Sequence, residues 1–152
     1  MNAADEVAYR LALAQGFLTE SEQDFDLARW RSCVDNAQLT VENAGKTILA
    51  SFGVVPKTHD PAKQVAALLR KQSLQENIRE QMQRLLPDLL ALGATEHFLT
   101  DYGDEATYTL PWDLFTRESA ADALATARRT LKQTLKLLDV IADWRRDQGD
   151  GE

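Results

Sequence analysis

Asn36-Ala37-Gln38-Leu39-Thr40-Val41-Glu42-Asn43-Ala44-Gly45-Lys46-Thr47-Ile48-Leu49 is the stretch on which the reading of this chain turns. Through it and its flanks Val34, Ala37, Val41, Ala44, Ile48 and Phe52 recur at spacings of three and four, which sets apolar side chains along one side of an α-helix facing a core. Gln38, Glu42, Gly45 and Lys46 sit beside that stripe. Glycine costs about 0.8 to 1 kcal/mol against alanine in a helix interior, so Gly45 predicts that something packs closely against it.

Toward the N-terminus, Val7, Leu11, Ala14, Leu18 and Phe25 predict a helix from about Ala3 to Leu27. Gly16 weakens it, and Thr19 with Glu22 reads as a capping box, which leaves open a break near Gly16 and a restart at Thr19. Toward the C-terminus, Gly53 stops the second helix and Val54 to His59 is a connector. Asp60-Pro61 starts a short third helix, Ala62 to about Lys71, because aspartate accepts backbone N–H bonds and proline loses none at the first position. Ser73 with Glu76 caps a fourth helix carrying Leu74, Ile78, Met82, Leu85 and Leu86. Pro87 should kink or end it, although Leu89, Leu90 and Leu92 still read as buried before a turn at Gly93.

From Thr100 to Phe115 periodicity fades, and Tyr102, Gly103, Tyr108, Pro111 and Trp112 among Asp101, Asp104, Glu105 and Asp113 predict an ordered loop with aromatic anchors. Thr116 caps a long last helix whose expected buried positions are Leu124, Leu131, Leu135, Leu138 and Ile141, with Arg128, Lys132 and Lys136 on another face. No strand pattern or internal repeat competes. The expectation is an all-α, up-and-down helical bundle of about five helices, one domain over residues 1–147 with a frayed tail at 148–152.

At 152 residues the chain suits one domain, and roughly 70% of its unfolded surface can be buried without staples. A hydrophobic share of 44% and a charged share of 27% are those of a soluble globular protein. The lone Cys33 rules out an internal disulfide, and with His59 and His97 it makes no usual zinc site; no metal and no cofactor is expected, and a reducing cytoplasm suits that usage. No apolar run approaches a membrane span, so no membrane contact is expected and the predicted location is cytoplasmic. A net charge of -7 argues against a large nucleic-acid surface, which would need lysines and arginines to neutralise phosphates.

Two separated segments resemble the HEPN family, the helical domains named for higher eukaryotes and prokaryotes nucleotide-binding. Gln38, Glu42 and Lys46 at spacings of four, with Gly53 following, are similar to the family's polar helix, and His59-Asp60 to its His-Asp stretch before the third helix. Asp101-Tyr102-Gly103-Asp104-Glu105, Pro111 and Phe115-Thr116-Arg117-Glu118 resemble the prokaryotic loop that carries Arg-Tyr-Pro or Arg-Tyr-Gly. One departure is a charge reversal: Asp101 stands where the family has arginine. The resemblance implies a homodimer, for which the small Gly45 on a helix face is a second argument, a pairing with a separately encoded minimal nucleotidyltransferase, and a nucleotide as a further ligand.

HEPN ribonucleases use an arginine followed by four to six residues and a histidine, a pair suited to holding phosphate and moving protons. Phe52, Gly53 and Val54 fill the arginine positions before His59, and Leu90, Ala91 and Leu92 those before His97. Catalytic residues are therefore assigned to none, and a divergent, toxin-like ribonuclease is the weaker alternative to a noncatalytic binding or regulatory protein. The candidate nucleotide- or partner-binding residues are Gln38, Glu42, Lys46, Tyr102 and Asp104, lining a groove. The competing reading takes Glu42 and Lys46 as an ordinary i,i+4 pair on an exposed helix, worth about 0.2 to 0.5 kcal/mol. His59 and His97 read as a structural and a surface or loop residue, the acidic loop as solvated, Arg128, Arg129, Lys132 and Lys136 as a solubilising face, and Trp30, Trp112 and Trp144 as core and rim anchors.

Overall fold

In a computed structural model, which describes residues 2–54 and 60–149, the chain is an all-α bundle. Its helices are α1 (Ala3–Asp26), α2 (Trp30–Ser51), α3 (Ala62–Leu69), α4 (Glu76–Ala91), α5 (Ala94–Tyr102), the single-turn α6 (Pro111–Leu114) and α7 (Arg117–Gly149). The five expected helices are present, and α5 and α6 are additional. No helix among the described residues is long and apolar enough to cross a membrane.

The stripe on α2 is where the spacing put it: Val34, Ala37, Val41, Ala44 and Ile48 are buried, and Phe52 packs against the same core. Yet α2 is the axis of the bundle, touched by all six other helices, and residues 40–51 are buried all round. Several polar side chains there therefore bond to their own helix. Thr40 Oγ1 donates to Asn36 O (2.9 Å), Asn43 Nδ2 to Leu39 O (2.9 Å) and Thr47 Oγ1 to Asn43 O (2.7 Å), which spares buried donors a desolvation penalty of about 1–3 kcal/mol each.

Gly45 has the close neighbour it predicted. A Cβ built there would stand 2.6 Å from Pro61 Cγ and 3.3 Å from Leu89 Cδ2, so the glycine lets the start of α3 and the end of α4 press onto α2. That neighbour belongs to the same chain, and Gly45 accordingly gives no argument for a dimer interface. At Gly53, Gly53 N donates to Ala50 O (3.0 Å) and Val54 N to Leu49 O (2.9 Å), the paired bonds that close a helix C-terminus. Thr116 and Ser119 cap α7 reciprocally, Ser119 N donating to Thr116 Oγ1 (3.2 Å) and Thr116 N to Ser119 Oγ (2.8 Å).

Several local expectations differ from the fold. Helix α1 runs unbroken through Gly16, and Thr19 Oγ1 donates back to Gln15 O (3.1 Å) instead of capping a restart. Gln75, not Ser73, caps α4, its side chain accepting from Ile78 N (2.9 Å). Pro87 lies inside α4, which continues past it to Ala91, so the proline does not end the helix although it has no N–H to donate. Leu90 is 64% exposed, and on α7 Leu135 faces out at 40% while Leu137 is buried in its place. Helix α7 also continues to Gly149, past the start of the expected tail. Between elements, Arg129 clamps α7 to α4 through Asp88 with two bonds of 2.8 and 2.9 Å, and Ser21 Oγ on α1 donates to Cys33 O on α2 (2.8 Å).

Candidate functional site

Along α2, Arg31, Asp35, Gln38, Glu42 and Lys46 follow one another at spacings of four, three, four and four, forming a single polar strip. Its deeper part holds three candidates together: Lys46 Nζ donates to Glu42 Oε1 (2.8 Å) and Gln38 Nε2 to Glu42 Oε2 (3.2 Å). Gln38 is 0%, Glu42 3% and Lys46 9% exposed, so the i,i+4 pair exists but inside the bundle, not on the exposed face the competing reading required. His59 lies outside the described residues.

The other end of the strip meets α5. Arg31 Nε donates to Thr100 O, and its Nη2 lies 3.7 Å from Asp101 Oδ1. His97 Nε2 lies 3.8 Å from Asp101 Oδ2, which makes His97 a half-buried helix residue rather than a loop one. Thr100 Oγ1 shares its proton between His97 O (2.9 Å) and Asp35 Oδ1 (3.2 Å). Burial pushes the Asp35 carboxyl above its ordinary range, and the charge of Asp101 adds to the rise, against the Thr100 hydrogen bond, Arg31 and His97. The charge reversal at Asp101 thus has a local answer: its carboxylate is set between Arg31 and His97.

Beyond α5 the chain makes a small closed hairpin. Asp104 N donates to Thr109 O (2.9 Å) and Thr109 N to Asp104 O (3.0 Å), a single antiparallel bridge, while Asp104 Oδ1 accepts from Ala106 N (3.0 Å). Gly103 at φ 69° is obligatory, because a Cβ would stand 2.1 Å from Thr109 O. Tyr108 holds φ 53°, a conformation that costs an ordinary side chain on the order of 1–3 kcal/mol. The residue is 94% exposed.

Apart from Phe115, which packs against the core, the aromatic residues of this region are not anchors. Phe98 (61%), Tyr102 (63%), Leu110 (57%) and Trp112 (70%) are exposed with Tyr108, and among the described residues five of the nine exposed large hydrophobic residues fall between positions 98 and 112. Phe98 and Tyr102 stack obliquely at 6.5 Å, and the Arg31 guanidinium lies 5.8 Å from the centre of the Trp112 ring. Trp30 and Trp144, by contrast, do pack against the core.

The five candidate residues therefore occupy two places. Gln38, Glu42 and Lys46 form the buried ladder, and Tyr102 and Asp104 belong to the exposed face. Lys46 is fifteen residues along α2 from Arg31, roughly 22 Å at 1.5 Å per residue, too far to share one groove with a loop at the Arg31 end. Sequence reasoning passed over Arg31, Asp35, Phe98 and Thr100. The signal for the first two was present, since they continue the Gln38, Glu42, Lys46 spacing toward the start of the helix.

The HEPN domain profile matches residues 7–137. The crystal structure of TT1696 from Thermus thermophilus shares the fold with a TM-score of 0.66 at 21% identity, over 90% of this chain and 99% of that one. No curated protein matches the sequence.

Proposed function

The chain belongs to the HEPN family, and we propose that it is a noncatalytic binding or regulatory member that engages another macromolecule through the exposed face of α5, the hairpin and α6. The observation that carries this reading is the exposure of Phe98, Tyr102, Tyr108, Leu110 and Trp112, of which Tyr102, Tyr108 and Leu110 border one depression and Phe98 stacks on Tyr102, since large apolar side chains left together in water mark an interaction site. Tyr102 and Asp104 contribute directly to that face. Gln38, Glu42 and Lys46 support it from inside, by fixing the helix against which α5 is braced. The arginine-histidine spacing of the family's ribonucleases is missing from the sequence, which removes the main argument for RNA cleavage.

Among the partners implied by the family likeness, a minimal nucleotidyltransferase is broad enough to cover five such side chains, whereas a single nucleotide is not. A homodimer, if formed, uses surface other than Gly45. Size-exclusion chromatography of the native protein tests the reading against a Tyr108→Ser/Trp112→Ser variant. The expected result is a complex heavier than one chain that the double variant loses while its circular dichroism is unchanged. Identical elution of both forms, or cleavage of RNA by the parent, would overturn it.

A further inference from the structure

The charge around the exposed rings selects among partners. Residues 94–116 contain five carboxylates, Glu96, Asp101, Asp104, Glu105 and Asp113, and no lysine or arginine. Glu96 is occupied by Gly93 N (3.0 Å), Asp101 by Arg31 and His97, and Asp104 by Ala106 N. Glu105 and Asp113 are exposed, and their carboxylates make no hydrogen bond or ion pair among the described residues. Tyr102, Glu105, Tyr108 and Leu110 line a shallow depression of about 570 Å³, and the hairpin bonds hold Tyr108 at its edge in a left-handed conformation that a flexible loop would relax.

Aromatic faces beside free carboxylates form an environment for guanidinium and ammonium groups, which gain from the negative face of the ring and from the anion together. The Arg31 guanidinium already takes this position over Trp112 from within the chain. Phosphates are disfavoured by the same carboxylates, and an isologous contact between two copies would set five carboxylates against five. We infer that this face docks an arginine- or lysine-rich segment of a partner protein, with Tyr108, Tyr102 and Phe98 receiving its cationic side chains and Glu105 and Asp113 neutralising them. The inference rests on the docking role proposed above and names the chemistry of what docks.

The test is fluorescence anisotropy with a labelled (Arg-Ser)6 peptide, and (Glu-Ser)6 as its counterpart, titrated with the full chain. The parent is expected to bind the arginine peptide and not the glutamate one. Tyr102→Ser/Tyr108→Ser, which leaves the charge unchanged, should weaken binding at least fivefold. Glu105→Gln/Asp113→Asn should weaken it three- to tenfold, while Asp139→Asn/Asp147→Asn on α7, with the same loss of charge, stays within twofold of the parent. The inference is overturned if the aromatic variant binds as tightly as the parent, or if the two charge variants lose affinity equally, since attraction would then be general. A labelled oligouridylate that binds more tightly than the peptide, or a parent dimer in sedimentation that Tyr108→Ser abolishes, would equally overturn it. Should the peptide fail while the native complex still depends on Tyr108 and Trp112, only the chemistry assigned here is wrong; a native complex indifferent to both would remove the docking role itself.

Discussion

Replacing Gly45 by alanine separates two opposed terms whose sizes the structure sets. A helix interior favours alanine over glycine by about 0.8 to 1 kcal/mol, chiefly through the freedom glycine loses on folding. Against this, the new Cβ would lie 2.6 Å from Pro61 Cγ, about 1 Å inside an ordinary carbon-carbon contact. Neither side can yield easily: Pro61 is a rigid ring at the head of α3, and moving it displaces Ala62 and Val65, which are 1% and 0% exposed. Overpacking of this kind costs roughly 1–3 kcal/mol, so the net change should run from near zero to about 2 kcal/mol destabilising. Gly16 supplies the reference, because a Cβ there meets nothing within 4 Å and Gly16→Ala should stabilise by about 1 kcal/mol. Urea unfolding of the parent and the two variants, followed by circular dichroism, then reads the steric cost as the difference between variants, with the propensity term cancelled. That difference should be about 1–3 kcal/mol, or roughly 2–12 °C in Tm for a chain of this size. If Gly45→Ala stabilises as much as Gly16→Ala, close packing of Pro61 is not what the glycine serves.

Ala28 carries φ 57° at the exposed end of α1, where Arg29 N reaches Asp24 O (2.8 Å) and Ala28 N reaches Phe25 O (3.0 Å) in the bond pattern that glycine usually completes. Ala28→Gly should therefore stabilise by about 0.5–1 kcal/mol, relief of a left-handed residue exceeding the added chain entropy; a loss in thermal unfolding would contradict this. Asp35 makes a pH prediction. Its folded-state pKa is raised, so the folded chain holds the proton more tightly, and the associated stability is present at low pH and lost as pH rises through the raised value. Asp35→Asn cannot ionise and should gain on the parent between about pH 4 and pH 7, as measured by urea unfolding at both; a difference that is constant or shrinks would count against the assignment.

What sequence alone could specify here was local. The three-and-four spacing of Val34, Ala37, Val41, Ala44 and Ile48, the stop at Gly53, the cap at Thr116 and the tight neighbour of Gly45 are each signalled by residues a few positions apart, and each is present in the fold. The acidic, aromatic character of residues 101–113 was equally open to inspection. Periodicity, however, reports only a contrast between two sides of a helix. It marks which side of α2 is apolar and does not say whether the other side meets water or more helices. Packing by elements distant in the chain decided that, carrying Gln38, Glu42 and Lys46 inward, where Gln38 Nε2 and Lys46 Nζ both donate to the Glu42 carboxylate. The same long-range packing turned Tyr102, Tyr108 and Trp112 outward, where rings taken as anchors become surface, because nothing in the order of the residues records which side of a loop the bundle lies on.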